Sequence, residues 1–179
     1  MSWLFDRLRS RRPSKDSVAA IYAVIVTQAR QAVFYRDLAV PDSVEGRFDL
    51  VLLHVWLVLR RLRALSQAQL SQAVFDRFCE DMDDNLREMG ISDVALKKRM
   101  RKVGEAFYGR SQAYDQAFDQ GDDALEKVLC RNVFNGAESA QAQRLAAYVR
   151  AAERDLNSFH EAAFLDVSFH FPMPEDKAP

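Results

Sequence analysis

Apolar residues recur along most of the chain at the three-and-four spacing of helices that show one face to a core. Val18, Ile21, Ile25 and Ala32, widened by Val24, predict a first helix over about residues 16–33. Pro41 then fixes a turn, and Asp42 with Glu45 three residues on has the spacing of a capping pair. From Leu50 to Leu59 ten residues carry no charge, and His54 alone breaks the apolar run. A spanning helix needs roughly 20 apolar residues. The stretch "DLVLLHVWLVL", bracketed by Asp49 and Arg60, therefore predicts a helix that other helices surround, ending near Leu65. Ser66 and Gln69 repeat the cap spacing and open a third helix to Met89, with Phe75, Phe78, Met82, Leu86 and Met89 as its stripe and Gly90 after its end. Ser92 can cap a fourth, striped by Leu96, Met100, Val103 and Phe107. Gly104 and Gly109 each cost a helix about 1 kcal/mol relative to alanine, so "GEAFYGR" predicts a close backbone approach or a bend near Gly109. A shorter helix with Leu125, Val128 and Leu129 ends near Asn135 and Gly136, and a last one covers about residues 139–164. The tail "FLDVSFHF" changes to period two, the pattern of an extended strip laid on the bundle. The reading is all-α: a single-domain irregular bundle of about six helices over residues 14–171, with a short extended C-terminal strip. A basic amphipathic segment covers 1–13 and a disordered tail covers 172–179.

A chain of 179 residues with 49% hydrophobic and 28% charged residues is one domain with a real core. Twenty-five Lys and Arg stand against 26 Asp and Glu, a formal charge of -1, which names no polyanionic partner and disfavours specific nucleic-acid binding. Cys79 and Cys130 are far apart, each within a helical pattern, and read as reduced thiols rather than as a zinc or redox pair. The N-terminus lacks a secretory apolar core, which predicts a cytoplasmic location. In "MSWLFDRLRSRR", Trp3 and Phe5 beside Arg7 and Arg9 suit the headgroup region of an anionic membrane; equally, they suit a terminal turn with its rings on the domain.

The motifs that carry chemistry fall short. Asp81, Asp84 and Glu88 share a helical face, but helical metal sites add a Glu-x-x-His pair, which this chain lacks, so a solvated acidic face is expected. "HEAAF" at His160 would need a second histidine at position 164, which is Phe. No P-loop, dinucleotide fingerprint or nucleophile elbow occurs. The expectation is a non-enzyme without metal or cofactor, in which His54 is a core residue bonded to a neighbour rather than a heme ligand. The other feature is "KKRMRK" at 97–102, where Lys98, Arg101 and Lys102 form one flank; it is a solvated face or a docking strip for an acidic segment, lipid or ribosomal phosphate. Tyr108, Arg110 and Tyr114 follow on that helix with residue types enriched in interface hot spots.

Two blocks, "FYRDLAVPDSVEGRFDLVLLHVWLVLRRL" and "FCEDMDDNLREMGISDVALKKRMRKVGEAFYGRSQAY", with a weaker echo in "ALEKVLCRNVF", resemble the signature regions of the ubiquinol–cytochrome c chaperone family over about residues 34–134. The ordered set Val-Pro-Asp, Gly-Arg-Phe-Asp, Leu-Arg-Glu-Met-Gly and Ala-Phe-Tyr-Gly-Arg is more specific than any one piece. The resemblance implies a helical, non-enzymatic factor that assists biogenesis of cytochrome b, the heme-bearing membrane subunit of ubiquinol–cytochrome c reductase. It also implies a place peripheral to the cytoplasmic membrane; the mitochondrial members work with a small partner protein near the ribosome exit. On that expectation Lys98, Arg101, Lys102, Tyr108, Arg110 and Tyr114 form the client-binding face, and charge reversal at Arg101 and Lys102 weakens client binding. Asp42, Arg47 and Asp49 fix the entry to the buried helix, and Arg87 with Glu88 the corner before Gly90. The competing class is a membrane-peripheral lipid-binding or adaptor protein that works through its N-terminal Trp/Arg segment.

Overall fold

The structure, a computed structural model, describes residues 13–136 and 140–174, and its axis is the helix that carries the uncharged run. In chain order the helices are α1 Lys15–Ala29, α2 Ala32–Arg36, α3 Val44–Ala64, α4 Ala68–Glu88, α5 Asp93–Gln120, α6 Asp122–Val133, α7 Ala140–Ser158 and α8 Glu161–Leu165. Six are long, while α2 and α8 have five residues each. No strand occurs among the described residues. Every residue from Asp49 to Leu59 is buried, because α1, α4, α5, α6 and α7 all pack on α3. The expected Trp3, Phe5, Arg7 and Arg9 membrane segment lies outside the described residues, as do residues 175–179.

The polar groups on α3 are met from outside it. Trp56 donates its indole N–H to Asp115 of α5 at 3.0 Å, and Arg60 and Arg63 reach the same carboxylate at 2.8 and 3.2 Å. One acid thus ties the two helices together. His54 is fully buried; its Nδ1 is 2.7 Å from the Leu50 carbonyl and its Nε2 is 2.7 Å from the Tyr148 hydroxyl. A carbonyl can only accept, so Nδ1 carries the proton and Nε2 accepts from Tyr148. Gln28 donates to the Tyr148 oxygen at 3.1 Å and to the Pro172 carbonyl at 3.0 Å. Thus the expected core histidine sits in a closed relay that runs from α3 to the end of the chain.

The local chemistry moves several expected boundaries. Ser43, not Asp42, caps α3 by accepting from the Gly46 amide at 3.1 Å, which frees Asp42 to pair with Arg47 at 2.7 Å. Ser66 adopts a positive φ of 59° in the turn before α4, so Gln67 takes the cap position without a side-chain bond. The last helix ends at Ser158 rather than 164, since Arg61 donates twice to the Phe159 carbonyl, at 3.2 and 2.6 Å, and draws the chain away. The extended strip follows α8: Phe169 stacks on Phe164 at 4.7 Å and Phe171 meets His54 edge-on at 5.1 Å. Residues 172–174, placed by sequence in the tail, are held too, through the Gln28 bond to Pro172 and the burial of Pro174.

Among the described residues one helical stretch, Lys15–Arg36, is by length and composition apolar enough to cross a membrane. It breaks at Arg30 and Gln31 and buries Val18, Ile21, Ile25 and Ala29 in the bundle, as a core helix does.

The glycines divide into two kinds. A Cβ at Gly46 would lie 2.0 Å from the Pro41 carbonyl oxygen, so the Val-Pro-Asp turn and the first turn of α3 touch backbone to backbone. At Gly104 and Gly109 a Cβ would meet nothing within 4 Å, and α5 runs through both positions unbroken. The close approach that would explain a glycine is not there, and neither glycine interrupts the helix. We expect Gly46→Ala to cost about 1–3 kcal/mol through overpacking. Gly104→Ala and Gly109→Ala should each raise stability by about 1 kcal/mol. Urea unfolding of the three variants tests this, and equal effects at all three sites would refute it.

Candidate interaction surface

Helix α5 has 28 residues and is about 42 Å long. Its second half lies in the body of the bundle, with Phe107, Ser111, Tyr114 and Ala117 buried. Its first half runs beside the end of α4, and from Asp93 to Glu105 Leu96 is the one buried residue. The α4 stripe fades in step: Phe78 is buried, Phe75, Met82 and Leu86 are half-buried, and Met89 is exposed. The two helices form a hairpin that projects beyond the core, turning at Gly90 with a φ of 78°. Arg87 holds the turn through Asp83 at 2.7 Å and Asp93 at 2.8 Å, and both hydrogen bonds raise its pKa. Glu88, expected to share that corner, is exposed.

Where the hairpin meets the bundle, a row of rings runs from α3 across α4 to α5. Phe48 meets Phe78, Phe75 packs on Phe107 at 4.8 Å, and Tyr108, a residue 64% exposed, lies against Phe75 at 5.7 Å. Arg110 stands over Phe48 at 5.7 Å and makes a short ion pair with Asp49. Burial raises the Asp49 carboxyl to about 6, with Arg110 pulling the other way. The pair joins the ends of the two signature stretches, Gly-Arg-Phe-Asp at 46–49 and Ala-Phe-Tyr-Gly-Arg at 106–110. Asp49 does not fix the entry to α3 with Asp42 and Arg47, as expected, but clamps α3 to α5.

The expected client face is thus split. Tyr114 is wholly buried against Trp56 at 5.2 Å and has no surface to offer. Arg110 is committed to Asp49. Tyr108, Lys98, Arg101 and Lys102 are exposed. Sequence reasoning missed Phe75 as the neighbour of Tyr108, Phe48 as the ring under Arg110, and Asp115 as the acid that receives Trp56, Arg60 and Arg63. Tyr114 was legible, since it follows Phe107 by seven residues and so shares its buried face.

Between α4 and α5 lies a shallow cleft of about 440 Å³ lined by Asp83, Arg87, Asp93, Leu96, Lys97 and Met100. Beside it Asp76, Cys79, Glu80 and Asp84 form an acidic wall, and burial, Asp76 and Glu80 push the Cys79 thiol up. Asp81 turns away to accept from Tyr22 at 2.9 Å. Among the described residues no group of three His, Cys, Asp or Glu could hold a metal ion. The arrangement is suited to holding a partner by shape, rings and charge.

Comparison with known proteins agrees with this architecture. The family described as ubiquinol-cytochrome C chaperone matches residues 36–171. The chain is 29% identical over 142 residues to ubiquinol-cytochrome-c reductase complex assembly factor 1 of Xenopus laevis, covering 76% of this chain and 71% of that protein. It is 28% identical over 152 residues to the Mus musculus protein of that name, covering 82% of this chain and 52% of the other, so it spans about half of the mouse relative. The crystal structure of the Cbp3 homolog from Brucella abortus superposes with a TM-score of 0.82 and 34% identity, covering 100% of both chains.

Proposed function

The chain belongs to the ubiquinol-cytochrome C chaperone family, and from that premise we propose that it is a non-enzymatic assembly chaperone of ubiquinol–cytochrome c reductase. It binds newly made cytochrome b at the cytoplasmic face of the membrane and holds it until assembly proceeds. What carries the reading is a match that includes both signature stretches, whose ends meet in the Asp49–Arg110 clamp beside the exposed Tyr108. The ring row Phe48, Phe75 and Tyr108 takes an apolar segment of the client. The rigid bundle behind it keeps that row in place without folding on demand, which lowers the entropic cost of binding. Trp3, Phe5, Arg7 and Arg9 add a contact at the membrane surface.

Deletion of the gene, followed by a heme-resolved reduced-minus-oxidised spectrum of the membranes, tests the role. Selective loss of the reductase's b-type heme, restored by complementation, is the expected result; a normal spectrum with normal reductase activity refutes it. For the surface, Tyr108→Ala should lower capture of cytochrome b by about tenfold, the scale of a hot-spot ring. Its melting curve should stay within about 2 °C of wild type, because an exposed ring contributes little to folding. Undiminished capture would move the client site elsewhere on the bundle.

A further inference from the structure

The projecting half of α5 carries five cations in six positions, Lys97, Lys98, Arg99, Arg101 and Lys102, and no carboxylate stands between Val94 and Val103. The whole chain has a formal charge of -1, so this charge is segregated. The acids of α4 do not tie it down: Arg87 takes Asp83 of α4 and Asp93 at the start of α5, Arg77 takes Glu80, and among the described residues no α4 carboxylate, Asp76, Asp84 and Glu88 included, makes an ion pair with these cations. Of the five cations Arg101 alone makes an ion pair among the described residues. Its partner is Glu105 of its own helix, at 3.4 Å and largely in solvent. Four cations are left with open valence toward solution.

Apolar groups share that end. Val94 is 89% exposed and Met89 60% exposed, on either side of the turn at Gly90. Val94, Lys97, Lys98 and Arg101 stand at i, i+3, i+4 and i+7, so the valine lies within the arc of cations rather than on the face toward α4. A purely acidic peptide or an RNA would satisfy the charges and leave Val94 and Met89 in water. A bilayer with anionic lipids satisfies both, taking apolar side chains at the level of the acyl boundary and cations on phosphates above it.

We infer that the tip of the α4–α5 hairpin is a lipid-docking element, with Val94 and Met89 entering an anionic bilayer surface and Lys97, Lys98, Arg101 and Lys102 lying on lipid phosphates. The inference rests on the assembly reading only in that the client is a membrane protein. It also removes Lys98, Arg101 and Lys102 from the expected client face and leaves Tyr108 there. Docked in this way, the hairpin would hold the ring row at the surface from which a membrane segment is presented.

The test is co-sedimentation of the full chain with vesicles of equal parts phosphatidylglycerol and phosphatidylcholine, and with phosphatidylcholine alone. Wild type should pellet with the anionic vesicles only, and less as salt is raised. The fourfold variant Lys97→Gln, Lys98→Gln, Arg101→Gln, Lys102→Gln should lose at least about 100-fold in partition at low salt, from roughly fivefold per cation near an anionic surface. Val94→Asp should weaken binding, while exchange of Lys97, Lys98 and Lys102 for arginine should preserve it and so show that the element still folds. Fourfold-variant binding at the wild-type level would overturn the inference, and would leave the Trp3 and Phe5 segment as the contact. Undiminished binding by Val94→Asp would overturn insertion of the tip. Loss of RNA binding in the fourfold variant with vesicle binding intact would mark the strip as a nucleic-acid contact instead. Vesicle binding needs no client, so none of these outcomes touches the heme spectrum that tests the assembly role.

Discussion

Arg110→Met should lower the stability of the chain by about 3 kcal/mol, the lower end for removing one partner of a buried ion pair. For a chain of this length that is a fall of about 6–12 °C in Tm. The loss is large because of what it leaves behind. Asp49 lies on α3 with its side chain 8% exposed, and Arg110 is its counter-ion. Burial already raises the Asp49 carboxyl to about 6 with Arg110 present. Without the guanidinium the carboxylate has neither water nor a cation, and it must stay charged at a cost or take up a proton. Arg110 also covers Phe48, so methionine keeps part of that packing and isolates the electrostatic loss. The pair itself contributes far less than its breakage costs. Asp49→Leu combined with Arg110→Met should recover most of the lost stability, since two packed apolar side chains avoid both desolvation penalties. A double-mutant cycle in urea measures the coupling. An Arg110→Met variant within about 1 kcal/mol of wild type would show that the clamp is solvated and contributes little.

The same clamp shows where sequence reasoning stops. Periodicity is a local signal, and it located the long helices, the wholly buried run from Leu50 to Leu59 and the extended strip ending in Phe169 and Phe171. Partnership between helices is not local. Nothing in the spacing of Asp49 and Arg110, 61 residues apart, says that they meet. Nor does it say that Asp115 receives Trp56, Arg60 and Arg63 together. Glycine misled for another reason. Gly104 and Gly109 have open space around them, and the contacts of α5 with its neighbours outweigh an intrinsic cost of about 1 kcal/mol each. The cap of α3 moved by one residue because Ser43 and Asp42 can both serve; Ser43 takes the Gly46 amide, and Asp42 is left for Arg47. Of the surface residues, the cations and Tyr108 were legible as exposed, but the projection of the hairpin that makes them an accessible arm depends on where the core ends.

Acid should act on this protein through His54. Burial lowers its imidazole to about 4 from an ordinary 6.5, so the folded state keeps it neutral while the unfolded chain protonates. The stability that goes with the neutral ring is complete above about pH 6.5 and is lost as the pH falls toward 4, by up to about 3 kcal/mol. Asp49 works in the opposite sense. Its folded-state pKa of about 6 lies above the ordinary 3.8, so the folded state takes the proton first and gains stability over much the same range. Wild type should therefore look nearly flat between pH 6 and 4, which is why the variants are needed. Asp49→Asn leaves the histidine term alone and should lose about 3 kcal/mol across that window. His54→Phe removes the histidine term, and its deficit against wild type at pH 7 should shrink by a similar amount by pH 4. The structural consequence follows from the relay. A protonated Nε2 can no longer accept from Tyr148; it donates instead to the hydroxyl oxygen that already accepts from Gln28, the Tyr148 proton loses its acceptor, and Gln28 is what holds Pro172. The near-ultraviolet circular dichroism of the Phe169 and Phe171 strip should change before the helical signal does. A wild-type to His54→Phe difference in unfolding free energy that stays constant from pH 7 to 4 would mean that the imidazole is reached by water in the folded state.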